Sequence, residues 1–163
     1  ISSVSRRKSS KKPSIKHINN LLFLFIMKTK YYIDTCIWRD YFENRKDRFR
    51  PLGEWALFLL NMIIDDNNSI LYSNLVLDEL RKEYNEETIS NLFEPYKNCL
   101  IKVGMSRQQM LEATRRSRLI NIPFADALHA ILARDNSAIL ITRDKHLFEL
   151  QNMVEIRTPE DLF

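Results

Sequence analysis

The sequence predicts an α/β fold, a three-layer α/β/α domain on a central parallel sheet of about five strands. Three observations carry this. Short apolar runs alternate with stretches in which apolar residues recur at helical spacing, and strands joined through helices pair in parallel. Pro, Ser, Asp and Asn sit at the boundaries between these stretches, where they open or close elements. Two of the apolar runs end in an acid, Asp34 and Asp144, and open α/β sheets bind ligands at the carboxyl ends of their strands.

The elements follow in order. Lys30-Tyr31-Tyr32-Ile33 forms the first strand and Asp34 closes it. Residues 35–43 read as a short helix with Ile37, Trp38, Tyr41 and Phe42 at helical spacing. A charged turn over 44–50 ends at Pro51, which suits the opening of a helix that runs to about Ile64. The turn Asp65-Asp66-Asn67-Asn68 leads to the second strand, Ile70-Leu71-Tyr72-Ser73, after which Ser73 or Asn74 can cap a helix through about Tyr84. Residues 86–94 form a helix stopped by Pro95, and Leu100-Ile101-Lys102-Val103 is the third strand. Ser106 caps a helix to about Ile120, and Pro123 opens the one carrying Asp126. The fourth strand spans 138–142, a short helix spans 144–150, and the last strand spans 154–157.

Composition bounds the function. A chain of 163 residues is the size of one domain, and only two glycines, Gly53 and Gly104, exclude a phosphate-cradling glycine-rich loop. Cys36 and Cys99 lack any CxxC or Cys/His spacing and read as reduced thiols of a cytoplasmic protein. Residues 1–26 hold six basic side chains and no acid, leaving 19 basic against 21 acidic in residues 27–163. The alkaline pI therefore belongs to the tail. Its first 20 residues read as a disordered basic arm. The apolar run at 21–26 is too short to span a bilayer and is followed by no small-residue cleavage site. Met27 is taken as the start of the domain, 27–163, with 1–26 as an extension; a basic arm gripping nucleic acid is the second reading.

Asp34, Glu79, Asp126 and Asp144 each lie where a strand ends or a helix gets under way. Four carboxylates in one cleft repel one another and raise their own pKa values unless a divalent cation such as Mg2+ neutralises them. The pattern hints at a metal site.

The segments Tyr32-Ile33-Asp34-Thr35-Cys36, Asn74 to Leu80, Phe124-Ala125-Asp126-Ala127-Leu128-His129-Ala130 and Leu140 to Phe148, in this order, resemble the PIN-domain nucleases, the fold of the VapC toxins of toxin–antitoxin modules. The resemblance implies that Asp34 is the central bridging acid and that Glu79, Asp126 and Asp144 complete a cluster for Mg2+ or Mn2+, with Thr142 supporting a carboxylate or a water on the ion. It further implies an endoribonuclease that hydrolyses single-stranded or looped RNA to a 5′-phosphate and a 3′-hydroxyl, a small antitoxin protein as partner, and a homodimer built through the early helices. His146 departs from the family, where many relatives carry a further acid. Adjacent helical residues point about 100° apart, so one of Asp78 and Glu79 faces the cleft; the family pattern favours Glu79 and sends Asp78 to solvent.

Basic side chains that can contact flanking phosphates are Arg81, Lys82, Arg115, Arg116, Arg118, Arg143 and Lys145, of which Arg81, Arg115, Arg143 and Lys145 are the preferred four. His129, three residues beyond Asp126, is read as a packing or hydrogen-bonding histidine, and the stripe Trp38, Tyr41 and Phe42 as core or partner surface. The rival functions are a housekeeping RNA-processing nuclease without an antitoxin and a catalytically silent scaffold binding RNA or protein.

Overall fold

Tyr32 and Ile33 are neighbours on a strand, so their side chains point to opposite faces of the sheet, and both are fully buried. Both faces are therefore covered, as a parallel sheet with helical crossovers requires. The protein is described here from a computed structural model covering residues 28–163, and the expectations for residues 1–26 lie outside the described residues.

Five strands, β1 (Lys30–Ile33), β2 (Ser69–Ser73), β3 (Leu100–Val103), β4 (Ile139–Ile141) and β5 (Ile156–Arg157), form one sheet in the order β3-β2-β1-β4-β5. All four pairings are parallel. The helices are α1 (Thr35–Glu43), α2 (Leu52–Asp65), α3 (Asn74–Leu80), α4 (Glu86–Phe93), α5 (Arg107–Ile120) and α6 (Phe124–Asp135), and 3-10 turns span Glu94–Tyr96, Leu147–Leu150 and Pro159–Leu162. The chain leaves β1 toward β2 on one side and later returns to β4 on the other. This order reversal opens a crevice beyond the carboxyl ends of β1 and β4, where Asp34 and Asp144 lie.

The core is one continuous cluster running from Tyr32, Ile37 and Trp38 through Leu59, Leu60 and Ile70 to Ile131 and Leu140. Helix α6 contributes an unbroken buried run from Ala127 to Ala133, which seats it firmly and fixes the direction of its first turn.

Several expected elements are shorter than the sequence suggested. α3 ends at Leu80 rather than Tyr84, because Lys82 and Glu83 donate to carbonyls three residues back and tighten the chain into turns. The expected helix over 144–150 is a 3-10 turn beginning at Leu147, and β5 is only two residues long. Ser73 occupies the N-cap of α3 without capping it by its side chain; its hydroxyl is 2.7 Å from the Tyr32 hydroxyl instead.

Candidate metal centre

Asp34 lies one residue past β1, and its N–H continues the ladder to the Ile141 carbonyl at 3.0 Å, which ties it to the end of β4. It occupies the N-cap of α1 yet makes no side-chain cap bond. Its Oδ2 instead accepts from Thr142 Oγ1 at 2.6 Å and from Cys36 Sγ at 3.0 Å. These two donors hold the carboxylate rigidly and leave Oδ1 facing the cleft. Burial, and then the Asp34 charge, push the Cys36 thiol well above its ordinary value, so it remains a protonated donor.

Glu79, near the end of α3, accepts from the Thr35 hydroxyl and from His129 Nε2 at 3.2 Å. Burial alone would raise its pKa, but the hydrogen bond and charge of His129, with Thr35, hold it below the usual carboxylate value. The exposed Asp78 carboxylate turns away to Arg81 at 2.9 Å.

Asp126 sits in the first turn of α6. Its Oδ2 is buried and has no hydrogen-bond partner among the described residues. Burial first, and then the neighbouring charge of Asp144, raise its pKa to about 6. Asp144 accepts from the His146 N–H at Oδ1, 2.9 Å away, and donates its own N–H to Thr142 Oγ1 at 3.0 Å.

These acids line one cleft of about 290 Å³ together with Thr35 and His129. Ligand atoms of Asp34, Glu79 and His129 lie within 4.8 Å of one another; Asp126 and Asp144 line the same cleft outside this tight group. A buried, unpartnered carboxylate oxygen beside three further acids is a donor set that hard divalent cations such as Mg2+ and Mn2+ satisfy.

The basic side chains fall differently from expectation. Arg143 is turned away from the cleft into a part-buried network: its Nε donates to Asp40 Oδ2 at 2.7 Å, its Nη1 to Glu160 at 2.6 Å, and its guanidinium lies 5.6 Å from the centre of the Trp55 ring. With two carboxylates already on it, Arg143 is a structural clamp and not a free phosphate contact. Arg81 is likewise paired, with Asp78 at 2.9 Å and Glu86 at 2.6 Å, along a separate groove. Arg115 and Lys145 are exposed. The basic side chains that do line the acidic cleft are Lys82 and Arg39. Arg39 lies one turn after Thr35, and that i, i+4 spacing from the strand end is the sequence signal that identifies it. Asp40, 2 % exposed, also escaped sequence reasoning because its partner Arg143 is more than a hundred residues away.

The PIN domain family matches the chain over residues 31–152. No curated protein matches it. Similar solved structures include VapBC-1 from nontypeable Haemophilus influenzae, with a TM-score of 0.58 and 18% identity over 81% of this chain and 99% of that one. VapBC2 from Rickettsia felis, determined bound to a DNA fragment from its promoter, gives 0.57 and 18% over 80% and 98%. FitAcB from Neisseria gonorrhoeae gives 0.55 and 15% over 80% and 98%. At these identities the likeness is one of fold.

Proposed function

Since the chain belongs to the PIN domain family, we propose that it is a Mg2+- or Mn2+-dependent endoribonuclease and the toxin of a toxin–antitoxin pair acting in the cytoplasm. The observation that carries this reading is the convergence of Asp34, Glu79, Asp126 and Asp144 on one cleft, with the Asp126 Oδ2 buried and unpaired.

Asp34, Glu79, Asp126 and Asp144 would hold the cation. When bound, it neutralises the carboxylates, lowers the pKa of a water for attack on phosphorus and stabilises the leaving oxygen. The remaining work falls to the protein. Thr142 and Cys36 fix one oxygen of Asp34, so the other is presented without rotational freedom. Thr35 and His129 do the same for Glu79. Lys82 at the rim offers positive charge to the phosphates flanking the scissile bond, while Arg39, lining the same cleft, is held by Glu83 at 2.7 Å. Cys36, protonated and bound to Asp34, is unsuited to nucleophilic attack, which agrees with a reaction in which water is the nucleophile.

A protein partner is supported by the VapBC and FitAcB assemblies that share the fold. Exposed Phe42, Leu57 and Phe58 on α1 and α2 offer apolar area for a homodimer through the early helices. Among the described residues no helix is long and apolar enough to cross a membrane.

The test is cleavage of a labelled RNA by wild type and Asp34→Asn, with Mn2+ and with chelator. Cleavage by wild type with Mn2+ alone supports the reading; equal cleavage in all four conditions, or none in any, rejects it.

A further inference from the structure

His129 lines the cleft, and the proposed hydrolysis leaves its chemistry unused beyond a hydrogen bond. It is 2 % exposed, and both ring nitrogens are engaged. Nδ1 lies 3.1 Å from the Tyr32 hydroxyl, which is in turn 2.7 Å from Ser73 Oγ. Nε2 lies 3.2 Å from Glu79 Oε2 and 3.7 Å from Asp34 Oδ1. The geometry points to His129 as a nitrogen ligand, through Nε2, of the divalent cation held in this cleft, an inference that rests on the proposed cation site.

Three features support it. Two ligand atoms at right angles about a cation, each about 2.1 Å from it, stand about 3 Å apart; the 3.2 Å from Nε2 to Glu79 falls near that value, and the 3.7 Å to Asp34 corresponds to a wider angle about the same ion. A ligating histidine needs a partner on its other nitrogen to fix ring orientation and tautomer. Tyr32 and Ser73 supply it from beneath the cleft, and Tyr32 also packs edge-on against the imidazole with ring centres 5.6 Å apart. Ser73 is free for this role because it gives no side-chain cap to α3. The third feature is spacing. Asp126 and His129 stand at i and i+3 on α6 and reach the same cleft, the arrangement by which carboxylate–histidine sites in helical bundles hold cations.

The relay can run either way, because each hydroxyl can donate or accept. With Nε2–H donating to Glu79, Tyr32 donates to Nδ1. With Nδ1–H donating to Tyr32 and Tyr32 to Ser73, the Nε2 lone pair is released toward the cleft, where a bound cation would be its partner, while Thr35 still donates to Glu79. A nitrogen in the donor set shifts preference from Mg2+, which favours oxygen alone, toward Mn2+ and later divalent metals.

Pulsed electron paramagnetic resonance on the full chain loaded with Mn2+ tests this, since a coordinated imidazole imprints nitrogen modulation on the manganese signal. The chain has three histidines, so a His17→Gln/His146→Gln double variant leaves His129 alone. Nitrogen modulation in wild type and in that double variant, lost in His129→Gln with Mn2+ affinity down by about tenfold or more, is the expected result. Bound Mn2+ without nitrogen modulation in the double variant overturns the ligand role and leaves the cation site standing. Failure of wild type to bind Mn2+ at all overturns both. Should His129→Gln not fold, the double-variant spectrum alone decides.

Discussion

The Thr142 hydroxyl donates to Asp34 Oδ2 across 2.6 Å while accepting the backbone N–H of Asp144 at 3.0 Å. One fully buried side chain thus sets the spacing between the acid at the end of β1 and the acid beyond β4. Thr142→Val keeps the shape and removes the hydroxyl, leaving the Asp144 N–H unpaired and Asp34 Oδ2 with Cys36 alone. The expected loss is about 1–3 kcal/mol of stability, read by denaturant unfolding, with a fall in cleavage rate that Thr142→Ser largely restores.

Asp126 predicts a pH signature. Its folded pKa is raised to about 6 against an ordinary 3.8, so its folded state binds the proton more tightly than the unfolded chain does. The stability this confers is full below about pH 4 and is lost as pH rises through 6. In chelator at pH 7, Asp126→Asn should therefore be more stable than wild type, by on the order of 1 kcal/mol once solvent screening of a half-buried group is allowed for, and the pH 4–6 decline should flatten. Saturating Mn2+ should reverse the ranking. Melting curves across pH with and without the ion check both.

Arg143 predicts a stability phenotype rather than a binding one. Arg143→Ala strands Asp40, 2 % exposed, with only a longer contact to Arg45 at 3.6 Å, and frees Glu160 in the last turn. Breaking such a buried pair costs about 3 kcal/mol. The variant should melt well below wild type while its KM for RNA, measured at low temperature, stays within about twofold.

Lys82 behaves oppositely. Lys82→Ala should leave the melting temperature unchanged and raise KM for RNA several-fold, with a shallower salt dependence of binding, as expected when one phosphate contact of about one counterion is lost. An unchanged salt slope would place the substrate elsewhere on the surface.

Much of the architecture was legible because it follows from local rules. Asp34 and Asp144 could be placed at strand ends from the apolar runs before them, and the parallel order then brings those ends together. Helix geometry allowed only one of Asp78 and Glu79 to face the cleft and the family resemblance favoured Glu79; the two carboxylates do point apart, one into the cleft and one to Arg81. What was not legible depends on contacts between distant residues. Nothing near Arg143 announces Asp40, so its guanidinium looked free for a phosphate. Nothing near Ser73 announces that Tyr32 will take its hydroxyl from the helix cap. His129 was read as a packing or hydrogen-bonding histidine, and it is buried and hydrogen-bonded; what a lone histidine on an apolar helix face does not announce is that its partners are carboxylates arriving from β1 and α3.

The proposed chemistry needs a divalent cation in the cleft. Anomalous diffraction from crystals soaked in Mn2+ measures this directly. A manganese peak within about 2.5 Å of carboxylate oxygens from Asp34 and at least one of Glu79, Asp126 and Asp144 is the predicted result. Crystals at neutral pH that take up manganese only on the outer surface, with the cleft carboxylates bridged by protons or water, would contradict it.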